Sequence, residues 1–273
     1  MHRNICKKMR FNTQTKNFGL IFSIALLIIG GCKRDGSEQI KVIDIKKEFS
    51  IQPWEILKES GSEYGFLIAS TEKKCDGTKI RIVPLVSQSD VSINLQAFIN
   101  PDSCFNTTDV VRDTTKLGLL SNGSYALQIN LKDVVLNSGT LSVSDTKLSV
   151  QMQSTDGITI PVTDILRVPQ GTIWGTIKYN TDQENLVTAF SDSLKTYAHN
   201  FSLVNGNYGY FQFIDNSYTP NPTATTTTFT KQKTYFMRLD KPLKSLTNLI
   251  QNTKTQLGKN GNLWIMAYNG VTF

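Results

Sequence analysis

The chain has 273 residues and a formal charge of +7, from 29 Lys and Arg against 22 Asp and Glu. Five of the basic residues and no acid fall in residues 1–31, so residues 32–273 carry only +2, and the charge gives no support for nucleic-acid binding. Two histidines and four cysteines are too few and too scattered for a zinc site, and neither a phosphate-cradling Gly-rich loop nor a calcium loop is present, so no cofactor or metal is expected.

Lys7, Lys8, Arg10 and Lys16 precede an apolar run over residues 18–29 that only Gly19 and Ser23 interrupt. At ~1.5 Å per residue this run is shorter than the about 20 residues a spanning helix needs. A basic flank, a short apolar core and small residues at its end describe a cleaved export signal. The run ends Ile29-Gly30-Gly31-Cys32, which resembles the lipobox of bacterial lipoproteins. That resemblance covers this segment alone. It implies removal of residues 1–31, lipid on Cys32 and attachment to a membrane through two or three acyl chains, followed by a polar tether over 32–38. Lys33, where an Asp would retain such a protein at the inner membrane, resembles the pattern of lipoproteins sent on to the outer membrane. Met9 is an alternative start that would leave Cys6 out of the product.

With Cys32 taken by lipid, Cys75 and Cys104 remain as a pair. In an oxidising compartment they are expected to form a disulfide. Closing a loop of about 30 residues would add roughly 3–4 kcal/mol on the chain-entropy account.

Residues 39–169 read as a mainly β domain, sandwich- or barrel-like. A strand is expected at 42–45 and a helix over 51–58, with Pro53 in its first turn and Trp54, Ile56 and Leu57 as its apolar side. Strands follow at 64–69, 79–86, 92–99, 124–131, 140–152 and 158–168, with clear alternation from Tyr125 to Leu131. Asp76-Gly77, Asn122-Gly123, Asn137-Ser138-Gly139 and Asp156-Gly157 read as the turns between them.

Residues 170–273 read as a second, α+β domain, so that the fold class expected for the whole is α+β. A strand at 172–179 leads to a helix capped by Asp182, with Leu186, Val187, Phe190, Leu194 and Tyr197 on one stripe. Strands at 208–214 and 234–239 flank a long polar loop containing a threonine run at 225–228. Asp240 and Pro242 open a second helix that Gly258 ends, and 263–268 is the last strand. The order β-α-β-β-α-β resembles a ferredoxin-like unit. This likeness is one of pattern and implies nothing about function.

Side-chain phase in those strands yields a candidate binding face. If Ile173, Ile177, Phe211, Phe213, Met237, Leu239, Leu263 and Ile265 face the helices, the opposite face carries Trp174, Lys178, Tyr208, Tyr210, Phe236, Arg238, Trp264, Met266 and Tyr268. Trp174, Tyr208, Tyr210, Arg238, Trp264 and Tyr268 would recognise a protein, peptide or glycan, unless the β domain covers them.

No catalytic residue stands out. His199 is the sole histidine after the export segment and reads as a helix-end or surface residue. Ser70-Thr71-Glu72-Lys73 and Ser144-Asp145-Thr146-Lys147 match S-x-x-K but lack its companion motifs. Asp109 with Asp113, or Glu59 with Glu63, offers paired carboxylates without a distinctive context. The basic stretch 217–273, whose one acid is Asp240, reads as a solvated face. The leading expectation is a non-enzymatic, lipid-anchored envelope protein that binds or scaffolds a protein or glycan partner. The alternatives are a carboxylate-dependent hydrolase of cell-wall or surface glycans, and a lipoprotein of secretion assembly or immunity.

Overall fold

The computed structural model describes residues 45–104, 107–220 and 229–273. Cys32, the export segment, the tether, the threonine run 225–228 and all but Ile45 of the strand expected at 42–45 lie outside them.

Alternating burial builds the first half. Its strands are β1 (Phe49–Ile56), β2 (Glu63–Cys75), β3 (Lys79–Val86), β4 (Asp90–Ile99), β5 (Thr107–Gly118), β6 (Gly123–Leu131), β7 (Val135–Val143), β8 (Lys147–Met152), β9 (Ile158–Thr159) and β10 (Asp164–Leu166). They form one sheet in the order β5-β2-β1-β9 and a second in the order β10-β8-β7-β6-β4-β3. β4 and β6 run parallel because β5, between them in sequence, belongs to the other sheet. Phe49, Ile51, Phe66 and Ile68 from the first sheet share one buried cluster with Val91, Ile93, Leu95, Leu127, Ile129 and Leu141 from the second. Each such side chain is worth about 1.5–3 kcal/mol in transfer from water.

The helix expected over 51–58 is instead strand β1, whose buried positions are Phe49, Ile51, Pro53 and Glu55. A proline and a carboxylate at two of those four alternate places disguise the two-residue period in the sequence. Pro53 is accommodated because β9 pairs only with Phe49 and Ser50, leaving that side of β1 without a ladder farther along. The turn expected at 137–139 lies inside β7. The hairpin turn between β6 and β7 is made by Lys132 and Asp133, both with positive φ. Gly139 serves close approach, since a Cβ there would meet the Gln151 carbonyl oxygen at 2.4 Å. Asn137 is fully buried, its amide donating to the Asp156 carbonyl and its oxygen accepting from the Asp156 N–H.

The second half contains β11 (Thr172–Tyr179), α1 (Glu184–Leu194), β12 (Ala198–His199), β13 (Gly206–Asn207), β14 (Phe211–Ile214), β15 (Ser217–Pro220), β16 (Lys231–Leu239), α2 (Thr247–Leu257) and β17 (Gly261–Ala267). Asp182 lies in a 3-10 turn ahead of α1 and makes no cap there. α2 ends at Gly258, with φ 51°. One sheet has the order β12-β16-β11-β17, and β13-β14-β15 form a separate three-stranded sheet.

These assignments correct the expected fold class. The molecule is mostly β, with two α-helices among the described residues, and the ferredoxin-like βαββαβ domain is not what forms. The segment 208–214 was to be its second strand. It instead folds back on β15 through Asp215 and Asn216, both in left-handed conformation, in a two-residue hairpin turn. Phe211 and Phe213 are thereby turned away from the helices and onto the opposite face of the larger sheet, where they join Trp174 and Tyr208. The helix side holds Ile173, Ile177, Met237, Leu263 and Ile265 against Val187, Phe190, Leu194, Leu246, Ile250 and Leu257.

The two halves share a third buried cluster, in which Leu57 and Val168 join Trp174, Tyr208, Phe211 and Phe213. At this junction the rings of Trp54 and Tyr210 lie 4.8 Å apart, and the Leu57 N–H donates to the Tyr210 hydroxyl at 3.3 Å.

Candidate binding cleft

A cleft of about 930 Å3 opens where three loops of the β-rich half meet two segments of the second half. Lys58, Glu59, Gly61 and Ser62 come from the β1–β2 turn, Asp145 and Thr146 from the β7–β8 turn, and residues 166–170 from the segment joining β10 to β11. Ser202, Leu203, Val204 and Tyr208, with Tyr268 and Asn269 after β17, complete its lining.

Arg167 is anchored at this junction. Its Nε donates to Glu55 Oε1 at 3.2 Å, and a terminal guanidinium nitrogen donates to the Ser144 carbonyl at 3.3 Å. The guanidinium also lies 5.4 Å from the centre of the Tyr64 ring. The second carboxylate oxygen of Glu55 accepts from the Val168 N–H at 3.0 Å. Glu55 is 1% exposed, so its charge is carried entirely by these partners. β1 is thereby tied to the segment that forms one wall.

The second half contributes exposed apolar surface to the lining. Val204 is 73% exposed although it is a large aliphatic side chain, and it stands beside Leu203 and Tyr208 in the cleft. The Tyr208 hydroxyl donates to the Val204 carbonyl at 3.0 Å. Burial pushes the Tyr208, Tyr210 and Tyr64 phenols above their ordinary range, although the Arg167 charge opposes this at Tyr64 and a hydrogen bond from the Leu57 N–H opposes it at Tyr210. The cleft therefore presents the neutral Tyr208 phenol and aliphatic surface together with Lys58, Glu59 and Asp145.

The six residues of the expected binding face are distributed as follows. Tyr208 and Tyr268 line the cleft. Trp174 is fully buried beneath the β13–β15 sheet, its ring 5.1 Å from that of Phe211. Tyr210 is half-buried between Trp54 and Trp174, and Trp264 is half-buried in the same aromatic cluster. Arg238 is exposed and lines an adjoining hollow of about 320 Å3, which shares Gln170 and Tyr268 with the cleft and includes Asp240 and Lys241.

Leu203, Val204 and Arg167 carry no local signal in the sequence, since loop position alone does not distinguish them. Glu59 and Asp145, noticed for other reasons, both reach the cleft, whereas Glu63 pairs with Lys58 and Asp109 with Arg112. His199 is exposed, its Nδ1 2.7 Å from Asp240 Oδ1. Cys75 and Cys104 form a disulfide that ties the end of β2 to the segment after β4, as is consistent with a compartment outside the cytoplasm. Among the described residues no group of three or more His, Cys, Asp or Glu side chains is placed to hold a metal, and no helix is long and apolar enough to cross a membrane.

Comparison with protein families, with curated proteins and with solved structures gives no match.

Proposed function

We infer that this protein is a lipid-anchored envelope protein that binds a partner through the cleft between its two halves. The observation that carries the binding role is the cleft wall, where Val204, Leu203, Tyr208 and Tyr268 form apolar surface beside Lys58, Glu59 and Asp145. A concave site of this size with an apolar wall and a few polar groups suits a ligand or an inserted polypeptide segment. Anchoring rests on Ile29-Gly30-Gly31-Cys32, and Lys33 favours the outer membrane as the destination. The Cys75–Cys104 disulfide accords with export.

Two experiments test this reading separately. Cells fed an alkyne-bearing palmitate should label the wild-type protein and not Cys32→Ala; labelling of neither would remove the anchor. Crosslinking in intact cells, followed by purification, should recover a stoichiometric partner with wild type and at least ten-fold less with Val204→Asp. Equal recovery with both would remove the cleft as the site.

A hydrolase reading has one specific observation in its favour, the presence of both Glu59 and Asp145 on the cleft. It requires release of reducing sugar from envelope glycan that disappears in both Glu59→Gln and Asp145→Asn.

A further inference from the structure

The outward face of the six-stranded sheet carries a block of mostly uncharged polar side chains. Register aligns its outward side chains in rows across the strands. Asp164, Ser149, Ser142 and Ser124 make one row, and Gln151, Thr140, Ala126 and Asp90 the next. Ser138, Gln128, Ser92 and Leu85 form a third, and Leu136, Asn130, Asn94 and Val83 a fourth. The inward partners on the same strands, such as Leu141, Leu127 and Ile93, are buried, so these rows face outward. Within these four rows only Asp164 and Asp90 carry a charge, and Lys147 on β8 and Lys79 and Arg81 on β3 flank them. The chain is not short of charged residues, since β5 alone carries Asp109, Arg112, Asp113 and Lys116.

Ser142, Gln128, Ser138, Thr140, Ser92 and Gln151 make no side-chain hydrogen bond within the described residues, which leaves their donors and acceptors facing outward. Short side chains on a pleated sheet present a flat surface, and removing water from it costs far less than stripping ionised groups. Each amide offers donors and an acceptor together, and each hydroxyl offers both, which is the pattern that vicinal sugar hydroxyls complement. Leu85 and Leu136, both more than half exposed, border the rows with apolar surface suited to the C–H faces of sugar rings. Four strands to a row at ~4.8 Å spacing, and four rows along them, cover roughly 500 Å2. That is below the about 800 Å2 per partner of a stable protein pair, and these rows hold none of the Trp, Tyr or Arg anchors such pairs use, Arg81 lying beyond them on β3.

We propose that this face binds a neutral oligosaccharide chain, as a site separate from the cleft. Gln128, Thr140 and Ser138 hold its centre and supply the hydrogen bonds. Binding is insensitive to salt because no ion pair contributes.

The test is an array of maltohexaose, cellohexaose, laminarihexaose and chitohexaose probed with the whole chain in detergent. At least one neutral probe should bind, equally at low salt and at about 0.5 M NaCl. Gln128→Glu and Thr140→Glu should each weaken it at least ten-fold without lowering the melting temperature, and Gln128→Ala, which adds no charge, should weaken it too. Tyr268→Ala in the cleft should leave it unchanged. Failure of every neutral probe overturns the proposal, as does binding that survives all three face variants. Loss with Tyr268→Ala alone would place the sugar in the cleft, and a dimer dissolved by Gln128→Glu would make the face a contact between copies. Either result overturns the proposal too.

Discussion

Glu55 on β1 and Arg167, 112 residues later, meet at 3.2 Å, and the other Glu55 oxygen takes the Val168 N–H. The carboxylate is buried while the guanidinium reaches the cleft with 25% of its side chain exposed. Removing one member leaves a buried charge without its partner, whereas removing both leaves apolar packing. Arg167→Met should therefore lower unfolding stability by about 3 kcal/mol, and Glu55→Leu with Arg167→Met should recover most of the loss. Urea titration of the three proteins checks this; equal losses in the single and double variants would show that the pair does not act as a unit.

The Cys75–Cys104 bridge spans 29 residues of sequence. Replacing both cysteines by serine should cost about 3–4 kcal/mol, read from the urea midpoint. Wild type should show no titratable thiol at either position until reductant is added.

Alkaline stability should depend on Tyr235. Burial pushes its phenol up to about 12 although the Ser191 hydroxyl lies 2.9 Å away and opposes the shift. A phenol whose folded value is raised stays protonated in the native state while the unfolded chain ionises. Its contribution is present below about pH 10, the ordinary tyrosine value, and is lost as pH climbs through about 12. Tyr235→Phe should flatten the fall of melting temperature over that window. An unchanged profile would show that other groups control it.

At acid pH the sign reverses. Glu72, Asp90, Asp164, Glu184 and Asp192 are all held below their ordinary values, chiefly by hydrogen bonds from Lys46, Ser89, Ser149, Lys231 and Lys195 respectively. Depressed carboxylates contribute stability above their unfolded values of about 4, and lose it as pH falls through the folded ones. Melting temperature should therefore stay level from about pH 5 to 8 and decline below about 4. Because these groups are mostly exposed, salt should shrink the decline.

Gly270 has φ 78°, and a Cβ there would meet the Leu57 carbonyl oxygen at 2.2 Å. Gly270→Ala should destabilise by about 1–3 kcal/mol through this backbone clash and its left-handed conformation. Thermal melting reads the effect, and a variant as stable as wild type would show that the two halves separate there without cost.

Local pattern was enough for much of the molecule. Period-two alternation from Tyr125 to Leu131 marks β6, and the same period in β11, β16 and β17 puts Ile173, Ile177, Met237, Leu263 and Ile265 on the helix side, where they are buried. The Cys75–Cys104 pairing was also legible from residue type and an even count. Tertiary structure decided the rest. Phe211 and Phe213 alternate like any strand, yet a turn at Asp215 and Asn216 and the aromatic face they cover determined which sheet they joined. Glu55 looks polar in sequence and is buried in fact, because Arg167 and Val168 reach it from far along the chain. A single sequence records which residues are apolar and how they repeat. Which distant group neutralises a buried charge, and which of two open faces a short strand covers, is determined only when the whole chain has closed around them.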